Sequence, residues 1–256
     1  MISQNCFTFP FQLPQVISQI RNWPLYLLNY LLRRNRLAEY KLRNGFRLID
    51  GRGTLAGTIA VIFIRREYGR MQDYRTIVDI GANMGGFAVY AALSCPNAKI
   101  YCFEPEERNF GVLMQNIAIN SLQERVRAFQ CAVASSNENR AMAIGPSPMN
   151  SLVTKDACER RQMVRCTTLR EIFKQQELET VDFLKMNCEG AEYEILEGCT
   201  RSDFERMPRI RLEYHNLDTA NQNGEWLAKY LMSQGYQIEH FTRYRGESGF
   251  IWAALK

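Results

Sequence analysis

The pattern of apolar and polar positions changes character along the chain. From about residue 76, short β-branched and aromatic runs recur, and stretches with apolar residues three and four apart lie between them. Thr76–Ile80 reads as a buried strand, followed by strands over 98–103, 126–133, 181–187 and 209–214. Helices are predicted between them. One carries Phe87, Val89, Tyr90 and Leu93, and a second carries Phe110, Leu113, Met114, Ile117 and Ile119. Pro105 suits the first turn of that second helix. A third begins at Leu169 behind the capping pattern Thr168-x-x-Glu171, a short one closes at Gly198, and one over 225–233 is capped by Gly235. Residues 236–242 and 249–255 read as a final antiparallel pair. Strands alternating with helices imply a mostly parallel α/β sheet.

The first 75 residues read differently. Residues 1–13 have no clear period and are expected to form a mobile arm. Residues 14–38 are helical in pattern, with Ile17, Ile20, Leu25, Leu28, Leu31 and Leu32 near one face and Pro24 as an interruption. This segment reads as a lid packed on the main domain. Arg33, Arg34 and Arg36 at its end keep a dimer contact or a membrane-surface helix as alternatives. A strand over 41–50 with a turn at Asn44-Gly45 and a helix over 55–68 lead into the first core strand. The expected division is an arm and helical lid over 1–40 and one domain over 41–256. Residues 135–165 read as an insertion of short strands and loops around Gly145-Pro-Ser-Pro148.

The chemistry gathers at Ile77-Val-Asp-Ile-Gly-Ala-Asn-Met-Gly-Gly86. A strand closing on Asp79 meets a glycine turn and a helix N-terminus, where a ligand can approach backbone amides closely. The dinucleotide fingerprint needs glycine at position 83, which is Asn83 here, so a nicotinamide dehydrogenase is disfavoured. A carboxylate at the strand end suits a ligand that presents hydroxyls or a cation better than one that presents a diphosphate.

Val78-Asp-Ile-Gly-Ala-Asn-Met-Gly85 resembles the first motif of class I S-adenosylmethionine-dependent methyltransferases. Phe103-Glu-Pro105, Leu184-Lys-Met-Asn-Cys-Glu-Gly-Ala-Glu192 and Leu212-Glu-Tyr-His215 narrow the resemblance to the FkbM family, over roughly residues 40–220. The family pattern has Asp where this chain has Asn187. The resemblance implies a Rossmann-like fold: a mostly parallel seven-stranded sheet with an antiparallel last strand and, here, an N-terminal helical cover. It implies S-adenosyl-L-methionine as cofactor, held by Asp79, Gly81, Ala82, Asn83, Gly85, Glu104, Pro105, Ala132 and Asn187. Glu104 takes the ribose hydroxyls, as strand-end carboxylates do in nucleotide-binding folds, and Ala132 lies toward the adenine. The acceptor is expected to be a hydroxyl on a small molecule or glycan, such as a sugar, a polyketide or another secondary metabolite. N-methylation is one alternative. A non-catalytic cofactor-binding module acting through its N-terminal helices is the other.

Methyl transfer to a hydroxyl calls for a proton acceptor. His215 follows a predicted core strand on the expected active edge, whereas the other histidine, His240, sits within a late strand. His215 and Glu189 are therefore the candidate bases. Glu213, two residues from His215, would orient the imidazole or pair with an arginine. One histidine among these carboxylates is a poor ligand set, so no metal is expected.

Composition adjusts this little. The net charge of +5 is mild and has no long basic run, which argues against nucleic acid. The eight cysteines form no C-x-x-C pair, and Cys102, Cys131 and Cys188 fall in apparent core strands, as free thiols do in a reducing compartment. The longest apolar patch, over 25–32, is too short to span a bilayer, and no signal peptide is evident. A cytoplasmic protein is expected, with a homodimer left open.

Overall fold

The computed structural model describes residues 5–32, 38–144, 161–217, 219–244 and 248–256. Helix α1 (Asn5–Gln19) begins well ahead of residue 14, over the stretch that shows no period in sequence. Helix α2 (Trp23–Leu32) takes Pro24 into its first turn, where a missing amide costs no hydrogen bond, so this proline starts a helix instead of breaking one. Strands β1 (Ala38–Lys41) and β2 (Arg47–Asp50) pair as an antiparallel hairpin, with Gly45 at φ +92° in its turn. Helix α3 (Leu55–Ile59) runs on into a π-helical turn, Ala60–Ile64. The expected helix over 55–68 stops there, and Arg66 turns the chain at φ +55°.

The α/β core follows. It contains β3 (Thr76–Ile80), α4 (Gly86–Ser94), β4 (Lys99–Phe103), α5 (Glu107–Ile119) and β5 (Val126–Phe129). The predicted third strand is shorter than expected. After Phe129 the chain bends away, and β6 (Ala132–Val133) pairs instead with β9 (Cys166–Thr167). The insertion holds the antiparallel strands β7 (Arg140–Ala143) and β8 (Arg161–Val164). The Gly145–Pro148 turn expected at its centre lies outside the described residues. Helix α6 (Leu169–Gln175) starts where Thr168 Oγ1 accepts from the Glu171 amide at 3.2 Å. Then come β10 (Phe183–Met186), α7 (Glu192–Glu197) and α8 (Arg201–Glu205), a short helix that periodicity does not reveal. The chain ends with β11 (Arg209–His215), α9 (Gly224–Ser233), β12 (Tyr236–Phe241) and β13 (Ser248–Leu255).

Seven strands form the main sheet in the order β12-β13-β11-β10-β3-β4-β5. β11, β10, β3, β4 and β5 are parallel, and β13 runs antiparallel to both its neighbours. This is the Rossmann-like methyltransferase arrangement expected from the sequence. The central strands are apolar on both sides because helices cover both faces. Ile77, Ile100 and Phe183 face one core with Val16, Ile20, Tyr26 and Phe87, so α1 and α2 bury side chains in the same core as the sheet. Val78, Ile80, Leu184 and Met186 face the other. Among the described residues, no helix is long and apolar enough to cross a membrane, and Cys95, Cys102, Cys131, Cys166, Cys188 and Cys199 are free thiols.

Asp50 joins the N-terminal hairpin to this core. It is buried, and its carboxylate accepts from the amides of Arg52, Gly53, Thr54 and Leu55 at 2.6–3.1 Å. These amides open α3, which forms one wall of the cleft described below. Asp50→Ala strands buried donors and should lower unfolding free energy by about 2–3 kcal/mol. Denaturant unfolding checks this, with Asp50→Asn expected to recover part of the loss through its one remaining acceptor oxygen.

Candidate active site

Parallel strands present their carboxyl ends to one edge, and the turns there shape a crevice. Here a single cleft is lined by the turn after β3 (Gly81, Ala82, Asn83), the end of β4 (Phe103, Glu104, Pro105) and the end of β10 (Asn187, Cys188, Glu189). Glu213 of β11 closes one end, and Thr58, Val61, Ile62 and Tyr68 contribute a wall from the N-terminal side.

Gly81 makes the close approach possible. At φ +73° it adopts a backbone shape that side chains resist, and a Cβ there would stand 1.8 Å from the Asn187 carbonyl oxygen. The turn is tied to β4 by the Gly81 and Ala82 amides, both donating to the Phe103 carbonyl at 3.0 Å.

Glu104 sits at the strand end beside this turn. Its Oε2 accepts from the Asn83 amide at 2.8 Å and its Oε1 from the Glu106 amide at 3.0 Å. Asn109 Nδ2 stands 3.4 Å from Oε1. A carboxylate has about four acceptor sites, so one remains for a ligand hydroxyl. Burial pushes the Glu104 pKa up to about 7, against the opposing pull of those amides. Pro105 lines the cleft but does not open the next helix. Glu106 caps α5, its side chain accepting from the Asn109 amide at 2.8 Å.

Two of the expected ligand residues do not line the cleft. Asp79 is fully buried and lies directly across from Lys185, whose Nζ is 2.8 Å from Asp79 Oδ1. Side chains alternate along a strand, so Asp79 points to the face that holds Phe87 and Tyr68, under the turn and not above it. Gly85 is the N-cap of α4 at φ +84°, packed against Leu113. Both shape the turn from behind. Ala132, by contrast, lines the cleft with Val133 and Met142 as an apolar wall.

The other end of the cleft is a cluster of ionisable groups. Asn187 Nδ2 donates to Glu213 Oε2 at 2.8 Å, and Asn187 Oδ1 is buried without a partner among the described residues. Burial lifts the Glu213 pKa to about 7; the positive His215 opposes this, and Glu189 and Glu192 add to it. His215 does not pair with Glu213. Its Nδ1 is 3.2 Å from Glu192 Oε1, and its Nε2 is 3.6 Å from Glu189 Oε2. Burial alone would lower the imidazole pKa, but the Glu192 hydrogen bond and charge, with Glu189 and Glu213, lift it to about 9. His215 is therefore an imidazolium near neutral pH. Glu192 is fully buried and also accepts from the amides of Cys188 at 2.8 Å and Gly190 at 2.9 Å. Burial opposes its charge, and His215 with the amides of Cys188 and of Glu192 itself still holds its pKa below the usual carboxylate value.

Three participants carried no role in the sequence reading: Glu192, Tyr68 and Asn109. Asn109 lies three residues beyond Glu106, the cap of α5, a spacing that marks capping geometry. Glu192 opens α7, and its reach back to the 188–190 turn has no such local signal. Tyr68 follows the π-helical turn, and nothing in its local sequence marks it.

With this geometry in hand, the comparisons with known proteins are direct. The profile of the methyltransferase FkbM domain matches residues 79–238. Methyltransferase sdnD of Sordaria araneosa is 31% identical over 168 residues, which cover 54% of this chain and 65% of that protein. The 31-O-demethyl-FK506 methyltransferase FkbM of Streptomyces tacrolimicus is 24% identical over 175 residues, 56% of this chain and 66% of its own. The crystal structure of methyltransferase FkbM from Methylobacillus flagellatus KT has the same fold, with a TM-score of 0.52 and 18% identity, over 74% of this chain and 46% of that one. The matches thus span about two thirds of these curated relatives and under half of the solved chain. With more than half its length matched by the domain profile, the chain belongs to the FkbM family of methyltransferases.

Proposed function

We propose that this protein transfers a methyl group from S-adenosylmethionine to a hydroxyl of a small molecule or glycan. The observation that carries this reading is one cleft with two different carboxylates at its ends: Glu104 beside the glycine turn, and Glu213 beside Asn187. The donor set fits the cofactor. Glu104 keeps an acceptor site for a ribose hydroxyl, Phe103, Ala132, Val133 and Met142 offer an apolar slot for the base, and the Gly81–Asn83 turn brings backbone close to the methionyl part. The unpartnered Asn187 Oδ1 accepts a donor from either ligand. When bound, the cofactor supplies an activated methyl carbon, which leaves the protein to align the acceptor, exclude water and take up one proton.

Glu213 is the proton acceptor in this reading. It faces the cleft, and Asn187 fixes its carboxylate through one oxygen. His215 lacks a free lone pair while Glu192 and Glu189 keep it protonated, so it acts as the positive charge that holds the 188–190 turn and steadies Glu213. A hydroxyl acceptor is supported by the relative whose name specifies a 31-O-demethyl acceptor. The negative character of Glu189 and Glu213 supports an amine acceptor as a second reading. Methyl transfer assayed on matched alcohols and amines separates the two, and transfer to neither leaves a non-catalytic module.

Glu104→Gln should weaken S-adenosylmethionine binding by about 1–3 kcal/mol, the scale of lost hydrogen bonds to a charged group. Because the Glu104 pKa is raised to about 7, its carboxylate is neutralised as pH falls through that value. Affinity in the natural chain should therefore rise with pH through about 7, and Glu104→Gln should flatten the dependence; calorimetry at several pH values measures both.

Glu213→Gln should reduce kcat by roughly 10²–10⁴, the usual contribution of a positioned base, with cofactor affinity changed only a few-fold. The rate should rise through about pH 7, the raised Glu213 pKa. A rate limb that survives Glu213→Gln would remove Glu213 from this role.

A further inference from the structure

The chain's net positive charge is concentrated in one segment. Residues 1–49 contain seven Lys and Arg and a single acidic residue, Glu39, while the remainder carries 25 basic and 26 acidic residues. The basic excess therefore belongs to the N-terminal cover, which lies outside the segment shared with the family.

The same cover has a helix that is apolar on its outer side as well as its inner one. α2 buries Tyr26 and Asn29, the amide of Asn29 donating to the Tyr40 hydroxyl at 2.9 Å. Leu25, Leu28 and Leu31 face outward, 37%, 40% and 48% exposed, with Ile17 of α1 at 36%. A helix apolar on every side belongs in a core or a lipid phase, and α2 has only one side in a core. At ten residues it is about half the length needed to span a bilayer, so it can only lie on one. Exposed basic residues are tied to these two helices. Arg21 stands two residues before α2, and its amide donates to the Lys41 carbonyl at 2.6 Å, which brings the β1–β2 hairpin alongside. Arg43 reaches back to the Ile17 carbonyl at 2.6 Å. Asn22 pins the start of α2 to β1 through the Glu39 carbonyl and the Lys41 amide. The exposed leucines and the exposed Arg21, Lys41 and Arg43 thus belong to one hydrogen-bonded N-terminal unit.

We propose that this surface docks on an anionic bilayer, with Leu25, Leu28 and Leu31 entering the headgroup boundary and Arg21, Lys41 and Arg43 on the lipid phosphates. Apolar area and electrostatic attraction add in such contacts. A second copy of the chain is a poorer occupant, because a two-fold contact would set this basic patch against itself.

The test is sedimentation of the full chain with vesicles of phosphatidylcholine alone and of phosphatidylcholine mixed with phosphatidylglycerol. The chain should partition to the mixed vesicles and be released by raised salt. The triple variant Leu25→Ser, Leu28→Ser, Leu31→Ser should lower the partition coefficient at least about tenfold. Arg21→Gln should lower it about fivefold, the effect of one basic residue near an anionic surface. Thermal melting and cofactor binding of both variants should match the natural chain. Three results would overturn the proposal: no partition to anionic vesicles, partition untouched by the leucine substitutions, or a dimer in solution that the leucine substitutions dissociate.

Discussion

The site rests on one buried ion pair. Lys185 and Asp79 face each other across the central strands β10 and β3, 4% and 0% exposed, with Nζ and Oδ1 2.8 Å apart. Lys185 Nζ also donates to the carbonyls of Gly81 at 2.7 Å and Ile80 at 3.3 Å. The rings of Tyr68 and Phe87 lie within 6 Å of the ammonium. Burying two charges is expensive, and such a pair is worth keeping only when further bonds satisfy it. Here the further bonds are those of Lys185 and end on the glycine turn, while Asp79 Oδ2 has no hydrogen-bond partner among the described residues. The pair therefore holds the turn at the height where the Gly81 backbone meets Asn187, and the cleft inherits its floor from that contact.

The opposite end of the cleft is organised by a second fully buried carboxylate. Glu192 gathers two amides of the 188–190 turn and the imidazole of His215, which ties α7, that turn and β11 together. Glu189 at φ +55° and Gly190 at φ +104° are the backbone shapes this gathering requires. The Tyr193 hydroxyl adds a bond to the His215 carbonyl at 3.0 Å. One carboxylate held low and another, Glu213, pushed up by the same surroundings give neighbouring acids different protonation states near neutral pH. The imidazolium is what separates them: it is hydrogen-bonded to Glu192 and acts on Glu213 only through its charge.

The N-terminal cover belongs to the same economy of packing. α1 and α2 bury Val16, Ile20 and Tyr26 against the core that contains Phe87 and Phe183. α3 and the π-helical turn carry Thr58, Val61 and Ile62 into the cleft wall, and Asp50 fixes where α3 begins. The cover and the cofactor face are therefore mechanically continuous, although only the latter lies in the segment shared with the family.

Much of this was legible in the chain itself. β3, β4, β10 and β11 could be read because a doubly covered strand is a run of apolar residues, and their polar ends mark the sheet edge where ligands bind. Asn83 disfavoured the dinucleotide turn by standing where that fingerprint needs glycine, and Glu104 announced itself by its position after β4. These are local properties: periodicity, side-chain volume and allowed backbone angles are decided within a few residues. The partners of the charges were not local. Asp79 serves Lys185, 106 residues away, and His215 is held by Glu192, 23 residues away, in place of Glu213 two residues away. The early end of β5 depended on β9, and the outward face of α2 on which side of it met the core. Sequence determined which groups stand at the sheet edge. Only the tertiary structure decided which of them neutralise one another and which stay turned toward a ligand, because charge pairing and burial depend on distances between segments far apart in the chain.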